Sequence, residues 1–198
     1  EVIGYGFSSD GIHISVPDIG GPIRAVSMAL KDACLGPEKI DYINAHATST
    51  PIGDQNEAKA IDAIFGHCKP VISSTKSMTG HEMWMAGASE VVYSLLMMQN
   101  SFIAPNINFH EADEFTSKLN ITPVTLQKNI DIFLSNSFGF GGTNYHVVLE
   151  EYTQDCLRAQ MPSSFQSWPA ELFIWKARSR RELIEAIRPI EEALSKGA

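Results

Sequence analysis

The hydrophobic residues of the first 150 positions follow two alternating periods, which predicts strands and helices in alternation. Pro22–Leu35 carries apolar residues at helical spacing and begins with proline, which is favoured in the first helical turn. The apolar run Ile40–Ala45 is typical of a buried strand. Further helices are predicted over Asp54–Phe65 and Glu82–Met98, and further strands over Val2–Gly6, Val71–Ser73, Asp131–Ser135 and Tyr145–Glu151. This alternation indicates an α/β fold built on a layered sheet.

The composition shifts near residue 151, where a polar stretch that contains proline and serine is typical of a linker. Most of the negative charge lies before residue 170, whereas the last segment is close to neutral. The expected organisation is therefore a compact body over 1–150, a linker over 151–170 and a partial α/β subdomain over 171–198.

Two elements are predicted in the last segment. Glu171–Ala177 has the apolar pattern of a strand, and Ser179–Ser195 has the pattern of an amphipathic helix with Ser179 as its N-cap. Pro189 lies inside this predicted helix. Because proline removes a backbone hydrogen bond from a helix, we expect a kink or a split there.

The chain has 198 residues, of which 44% are hydrophobic and 19% charged, and its net charge is −8. The composition is ordinary for a folded domain, and the charge argues against non-specific binding to nucleic acid or to an anionic membrane. No apolar run approaches the roughly 18–20 residues that a membrane span needs. The three cysteines form no CxxC pair, so neither a disulfide framework nor a zinc site is expected, and a cytoplasmic location fits best. The first residues, EVIGYG, have the pattern of a strand already under way, and we expect the chain to begin inside a longer protein.

Three polar segments at junctions between predicted elements are the candidates for chemistry. They are Asn44–Thr50 (NAHATST), Ser74–His81 (STKSMTGH) and Ser135–Asn144 (SNSFGFGGTN). The first two follow predicted strands and precede predicted helices. Because ligands bind at the carboxyl ends of the strands in α/β sheets, all three segments could face one site.

Two of these segments carry a histidine. A lone histidine such as His46, directly after a buried strand, is more often structural than functional. His81 is placed at the start of the third predicted helix, where the helix dipole and the nearby Lys76 both disfavour a positive charge. A neutral imidazole can donate its N–H to a developing oxyanion, so two such histidines aimed at one oxygen would form a strong electrophilic site.

Other motifs are incomplete. The segment that begins at His81 starts like the HExxH zinc motif, but Met85 stands where the second histidine should be, so no metal site is predicted. The segment that begins at Gly139 starts like the dinucleotide-binding GxGxxG motif. There Asn144 replaces the last glycine, and a strand follows instead of a helix. No GxSxG nucleophile motif is present.

Taken in order and with their spacing, the three segments resemble the C-terminal half of the β-ketoacyl-acyl-carrier-protein synthases, or ketosynthases. These enzymes have the layered α-β-α architecture of the thiolase-like fold. The resemblance covers about residues 1–150 and is closest to the type I condensing enzymes of fatty-acid synthesis. The tail is similar to the linker that follows the ketosynthase in modular polyketide synthases, which implies a multidomain parent.

The resemblance implies four catalytic residues. In the family's HGTxT segment, here HATST, the first catalytic histidine is His46. The KxxxGH segment, here KSMTGH, supplies the family's lysine as Lys76 and its second catalytic histidine as His81. Glu90 matches an acid that pairs with the lysine and organises the site.

It also implies the residues that bind substrate. Thr48 and Thr50 match positions that hydrogen-bond the pantetheine arm. Phe138 and Phe140 are the other candidates for substrate binding, and Phe140 matches the gate beside the nucleophile and the acyl pocket. The implied partner is an acyl carrier protein, which itself carries the phosphopantetheine, so the chain is expected to bind no cofactor of its own.

The reaction that the resemblance implies is a decarboxylative Claisen condensation of an acyl thioester with malonyl-acyl carrier protein, in fatty-acid or polyketide synthesis. The family's nucleophilic cysteine lies in the N-terminal half, which is outside this chain. The chain alone is therefore expected to be inactive, and the full protein is expected to be a homodimer.

Two alternatives remain. A non-catalytic subunit of the chain-length-factor type keeps the fold and loses catalytic residues, and retention of both histidines and the lysine argues against it. A thiolase uses a cysteine as base in its C-terminal half, and no cysteine here has such a glycine-rich setting.

Overall fold

A computed structural model of the chain describes residues 1–11, 13, 18–152 and 175–195. The chain divides into two compact units, Glu1–Cys156 and Leu157–Ala198. The expected separate linker over 151–170 lies almost wholly outside the described residues and stays a prediction.

A six-stranded mixed sheet forms the centre of the first unit. The strands are β1 Val2–Ser9, β2 Tyr42–Asn44, β3 Val71–Ser73, β4 Phe102–Ile103, β5 Asn120–Ile121, β6 Leu126–Gln127, β7 Ile132–Gly139 and β8 Thr143–Glu150. The strand order of the large sheet is β1-β8-β7-β2-β3-β5, and a two-stranded sheet pairs β4 with β6. The β7–β2–β3–β5 portion is parallel, whereas β1, β8 and β7 pair in antiparallel fashion.

Helices cover both faces of the large sheet. The helices described in this unit are α1 Gly20–Asp32, α2 Pro51–Phe65, α3 Lys76–Thr79 and α4 Ala86–Gln99. On one face, α1 and α2 pack against strand residues such as Ile43 and Leu134, and on the other face α4 packs against their neighbours Tyr42 and Phe133. Successive strand residues point to opposite faces, so each short parallel strand is buried on both sides. The result is the expected α-β-α layering.

The five strands and the first two helices predicted in the first unit are confirmed, but the third helix begins later than predicted. It was expected over Glu82–Met98, whereas α4 begins at Ala86 after a 3₁₀ turn over Met83–Met85. Met83 has a φ of 54°, which a regular α-helix does not accommodate. The two-residue strands β4, β5 and β6 were not predicted.

In the second unit, α5 spans Arg180–Ser195, in agreement with the predicted amphipathic helix. The backbone N–H of Glu182 donates to Ser179 Oγ at 3.2 Å, which confirms the N-cap. The predicted split at Pro189 is wrong, because the helix continues through it. Pro189 is exposed, so water can satisfy the carbonyl that loses its partner.

The strand predicted over Glu171–Ala177 is only partly within the described residues. Residues 171–174 lie outside them, and residues 175–177 belong to no strand. In the part of the chain that the structure describes, no helix combines the length and apolar character needed to cross a bilayer.

The close approach of β1 to α1 depends on glycine. A Cβ added at Gly6 would overlap the backbone oxygen of Ala25, and the helix backbone cannot move away without repacking the core. We expect Gly6→Ala to lower the free energy of unfolding by about 3 kcal/mol, as measured by urea denaturation. Gly11→Ala is the matched control, because nothing lies within 4 Å of its added Cβ. Equal stability of the two variants would contradict this account of the packing.

Candidate functional site

The polar segments meet at the carboxyl edge of the parallel strands. β2 lies between β3 and β7, and all three run in the same direction. His46 follows β2, Lys76 begins the helix that follows β3, and Phe138 lies near the end of β7. The expectation that these segments face one site is therefore confirmed for their backbone positions.

A buried carboxylate shapes the turn that carries His46. Glu57 of α2 accepts the backbone N–H groups of His46 and Ala47 at 2.9 and 2.8 Å, and the side-chain amide of Asn136 at 2.9 Å. Ala47 has a φ of 24° and Ser49 a φ of 63°, so the turn holds two residues outside the common backbone regions. Burial raises the pKa of Glu57, and the three donated hydrogen bonds oppose that shift.

The two histidines are in direct contact. The ring centroids of His46 and His81 lie 5.4 Å apart, with the ring planes almost perpendicular at 89°. Burial lowers the pKa of His46 to about 3, and the positive charge of Lys76 acts in the same direction. The imidazole of His46 is therefore neutral at physiological pH.

The tautomer of His81 is set by the backbone. The N–H of Met83 donates to His81 Nδ1 at 3.0 Å, so Nδ1 carries no proton and the neutral ring has its N–H at Nε2. The expected placement of His81 at a helix N-terminus is wrong, because α4 begins five residues later, at Ala86. A local backbone hydrogen bond, and not the dipole of α4, therefore leaves His81 Nε2 as a donor.

Lys76 and Glu90 form a buried ion pair below the histidines. Both side chains are about 95% buried, and Lys76 Nζ donates to Glu90 Oε1. Burial raises the pKa of Glu90, and the hydrogen bond from Lys76 opposes the shift. The backbone oxygen of Glu90 accepts from Ser94 Oγ at 2.7 Å, and Ser94 Oγ in turn accepts from Asn44 at 3.2 Å. These bonds connect α4 to the strand that leads to His46.

The threonines stand on the rim of the same turn. The hydroxyl groups of Thr48 and Thr50 are 3.2 Å apart, and Thr50 occupies the residue before α2. Thr48 is half-buried and Thr50 is exposed. Both hydroxyls can therefore exchange hydrogen bonds with a polar ligand that arrives from solvent.

The two phenylalanines occupy different positions. Phe138 meets His46 edge to face at 5.3 Å, so it belongs to the histidine cluster. Phe140 is 89% exposed in the turn between β7 and β8. That turn requires glycine, since Gly141 and Gly142 have φ values of 86° and 76°.

Asp10, which lies outside the hairpin, holds this turn through hydrogen bonds. The backbone N–H of Asp10 donates to the carbonyl oxygen of Gly142 at 2.7 Å, and the side-chain amide of Asn144 donates to the Asp10 carboxylate at 3.0 Å. These bonds fix the base of the hairpin and leave Phe140 projecting from its tip.

Three residues of the site were not predicted. Glu57, Asn136 and His146 are buried and linked to the His46 turn by hydrogen bonds. A signal was available for His146, because alternation along TNYHVVLE places it on the same side as Asn144 and Val148, which are buried. No local pattern distinguishes Glu57 from other acidic helix residues. Among the described residues, no group of three or more His, Cys, Asp and Glu side chains is placed to hold a metal ion.

The chain matches a known protein family over more than half of its length. Residues 1–110 match the family described as beta-ketoacyl synthase, C-terminal domain. The chain is 46% identical over 151 residues to 3-oxoacyl-[acyl-carrier-protein] synthase 1 of Escherichia coli (strain K12), an alignment that covers 76% of this chain and 36% of the relative.

Solved structures show the same fold. The ishigamide ketosynthase/chain length factor superposes with a TM-score of 0.74 at 35% identity, over 77% of this chain and 38% of that one. A type II PKS acyl-carrier protein in complex with its ketosynthase gives a TM-score of 0.73 at 32% identity, over 77% and 37%. The chain thus spans little more than a third of the length of these relatives.

The buried ion pair generates a prediction about stability. Lys76→Met alone leaves the Glu90 carboxyl buried without its partner, and Glu90→Leu alone does the same to the Lys76 ammonium. We expect each single change to cost about 3–5 kcal/mol, and the double variant to recover most of that loss. Urea unfolding of all four proteins forms a double-mutant cycle. Strictly additive losses would show that the two groups do not stabilise one another.

His46, which is half-buried, and His146, which is buried, generate a prediction about pH. Burial lowers the pKa of both His46 and His146 to about 3, against an ordinary value of 6.5. Below pH 6.5 the unfolded chain binds protons that the folded chain excludes. Stability therefore falls as the pH drops from about 6.5 towards 3, by about 1.4 kcal/mol per pH unit for each histidine.

The free energy of unfolding at pH 7, 6 and 5 checks this. His146→Asn should reduce the slope of the free energy of unfolding against pH by the contribution of one histidine, about 1.4 kcal/mol per pH unit. The matched control His67→Asn, at an exposed position, should leave the slope unchanged. An identical slope in all three proteins would contradict the prediction.

Proposed function

The chain belongs to the β-ketoacyl synthase family, and from that premise we propose that His46 and His81 stabilise the enolate formed when a malonyl thioester loses carbon dioxide. The bond between the malonyl carboxylate and its neighbouring carbon breaks, and the electron pair moves to the thioester oxygen. The enolate carbon then attacks an acyl thioester on a cysteine. A carbon–carbon bond forms, the carbon–sulfur bond breaks, and the cysteine sulfur leaves as thiolate to give the 3-oxoacyl product.

The observation that carries this proposal is the contact between two imidazoles at the carboxyl edge of the sheet. A developing oxyanion needs preorganised donors. His46 is kept neutral by burial, and His81 keeps its N–H on Nε2 because Met83 occupies Nδ1. Each ring can therefore offer one N–H group to the same oxygen.

We assign Lys76 and Glu90 a supporting role in catalysis. The Lys76 charge disfavours protonation of His46, and the Glu90 carboxylate makes burial of that charge tolerable. The pair thus preserves the neutral donor on which the enolate depends.

The proposed substrate arrives on an acyl carrier protein. A ketosynthase of similar fold forms a complex with such a protein, which supports the same kind of partner here. The paired hydroxyls of Thr48 and Thr50 on the rim suit the amide groups of a phosphopantetheine arm. Phe138 and the projecting Phe140 are proposed to border the acyl pocket, and the chain itself is proposed to bind no cofactor.

We propose that the nucleophilic cysteine comes from a preceding half of the same protein. The two cysteines among the described residues, Cys34 and Cys68, lie in the turns before β2 and β3, at the amino edge of these strands and opposite the histidines. Neither of these two is placed to act with His46 and His81, so we do not expect condensation by this chain alone.

An apolar surface is available for that half. The α4 side of the outer strands and α4 itself expose large apolar side chains, namely Tyr5, Phe7, Tyr145, Val92 and Leu96. Exposed apolar area of this kind marks an association surface. We propose that the preceding half covers it, and that the full protein is a cytoplasmic homodimer.

A chain-length-factor role is the second candidate. Two similar solved structures are a ketosynthase/chain length factor and a ketosynthase in complex with its chain length factor. The paired histidines and the Lys76–Glu90 pair favour the catalytic role for this chain.

Malonyl decarboxylation tests the proposal. In the full-length protein that contains this chain, His46→Ala and His81→Ala should each slow carbon dioxide release from malonyl-acyl carrier protein by about 10²–10³-fold. Each variant removes one donor to the enolate oxygen.

His67→Ala is the control, because this exposed histidine lies on the turn after α2, away from the site. A decarboxylation rate that survives either active-site change would overturn the assignment of the two histidines. An unsubstituted protein that folds but neither decarboxylates nor condenses would favour the chain-length-factor role.

A further inference from the structure

A chain of buried hydrogen bonds leads from β8 to the catalytic turn. His146, which is 1% exposed, bonds through Nδ1 to Asn136 Oδ1 at 2.7 Å. The amide nitrogen of Asn136 donates to Glu57 Oε1 at 2.9 Å. Glu57 in turn holds the backbone N–H groups of His46 and Ala47. This series of hydrogen bonds links three elements, β8, β7 and α2.

The direction of these bonds is determined. Two backbone N–H groups donate to the Glu57 carboxylate, and an ionised carboxylate only accepts, so Asn136 presents its NH₂ group to Glu57 and its oxygen to His146. Nδ1 of His146 therefore carries the proton that Asn136 accepts. Nε2 is left without a proton, and it has no hydrogen-bond partner among the described residues.

A second contact joins the same two histidines. The ring of Phe138 lies between them, with its centroid 5.3 Å from that of His46 and 5.3 Å from that of His146. His146 therefore reaches His46 by two routes, through the backbone that Glu57 holds and through the aromatic ring that His46 touches.

We propose that His146 is a positioning residue for His46: its Nδ1–H fixes the orientation of the Asn136 amide, and through Glu57 it fixes the turn that aims the His46 ring at the enolate. This inference rests on the catalytic role proposed for His46. His146 touches neither substrate nor reacting atoms in this scheme.

Loss of the His146 donor has a specific consequence. Asn136 Oδ1 would be left buried and unsatisfied, and the amide would be free to turn. Once turned, it would present its oxygen to the Glu57 carboxylate, so the bond that helps to hold Glu57 would be lost. The His46–Ala47 turn, with its φ of 24° at Ala47, depends on Glu57 for its shape. A small displacement of a catalytic group is enough to slow a reaction severely.

The test uses two variants of nearly equal shape in the full-length protein. His146→Leu removes the donor, whereas His146→Asn places an amide N–H close to where Nδ1 stood. We expect His146→Leu to lower the kcat of malonyl decarboxylation by about 10–100-fold with KM little changed, and His146→Asn to restore most of the rate. Val148→Ala, a core change on the same strand, controls for general loss of stability and should keep the rate.

The outcomes separate the two proposals. If His46→Ala abolishes decarboxylation and His146→Leu leaves it intact, the positioning role is wrong and the proposed function stands. If His46→Ala itself has no effect, the proposed function fails first. Equal rates for the folded Leu and Asn variants would show that packing, and not the donated hydrogen bond, is what matters at this position.

A measurement on the unsubstituted protein does not depend on the variants folding. Nitrogen-15 NMR of histidine-labelled protein at pH 7 distinguishes a protonated ring nitrogen from an unprotonated one. We expect His146 to carry its proton on Nδ1, and His146→Asn serves to assign the signal. A proton on Nε2 would reverse the hydrogen bond to Asn136 and overturn the inference.

Discussion

The site depends on the burial of one carboxylate. An ionised acid in a protein interior is tolerated only when donors replace the water it loses. Glu57 meets this condition with the two backbone N–H groups of the His46–Ala47 turn and the amide of Asn136. The requirement works in both directions, because the turn needs an acceptor for donors that β2 no longer pairs. The carboxylate and the turn therefore stabilise one another. Glu57 fixes the position of His46 through the hydrogen bond that it accepts from the backbone N–H of His46.

The distribution of charge around the histidines follows from the same desolvation. Burial lowers the pKa of His46 most, and the positive charge of Lys76, which is balanced by Glu90 from a different helix, acts in the same direction. Without that partner the lysine would be a buried, unpaired charge, which a protein interior disfavours. The ion pair therefore supports the neutral form of the His46 ring.

The sequence predicted the parts of the site that local patterns encode. Hydrophobic periodicity predicts β2 and β3. Because ligands bind at the carboxyl ends of strands in α/β sheets, the sequence also predicts that His46 and Lys76 lie at one edge of the sheet. The hydrophobic pattern predicts too early a start for α4, because it does not indicate that Met83 adopts a positive φ. His81 nevertheless presents Nε2 as its donor, through a backbone hydrogen bond instead of the helix dipole.

The parts of the site that the sequence could not predict depend on contacts between segments that are distant along the chain. Glu57 and Asn136 lie 79 positions apart and meet because α2 folds back over the strand that bears Asn136. Hydrogen bonds of this kind depend on the packing of whole elements, so no periodic pattern in the sequence predicts them. His146 is buried by strand alternation, and only the packed structure shows that its proton can serve the turn at His46. A catalytic motif thus defines which groups react, while the fold around it determines whether those groups are aimed.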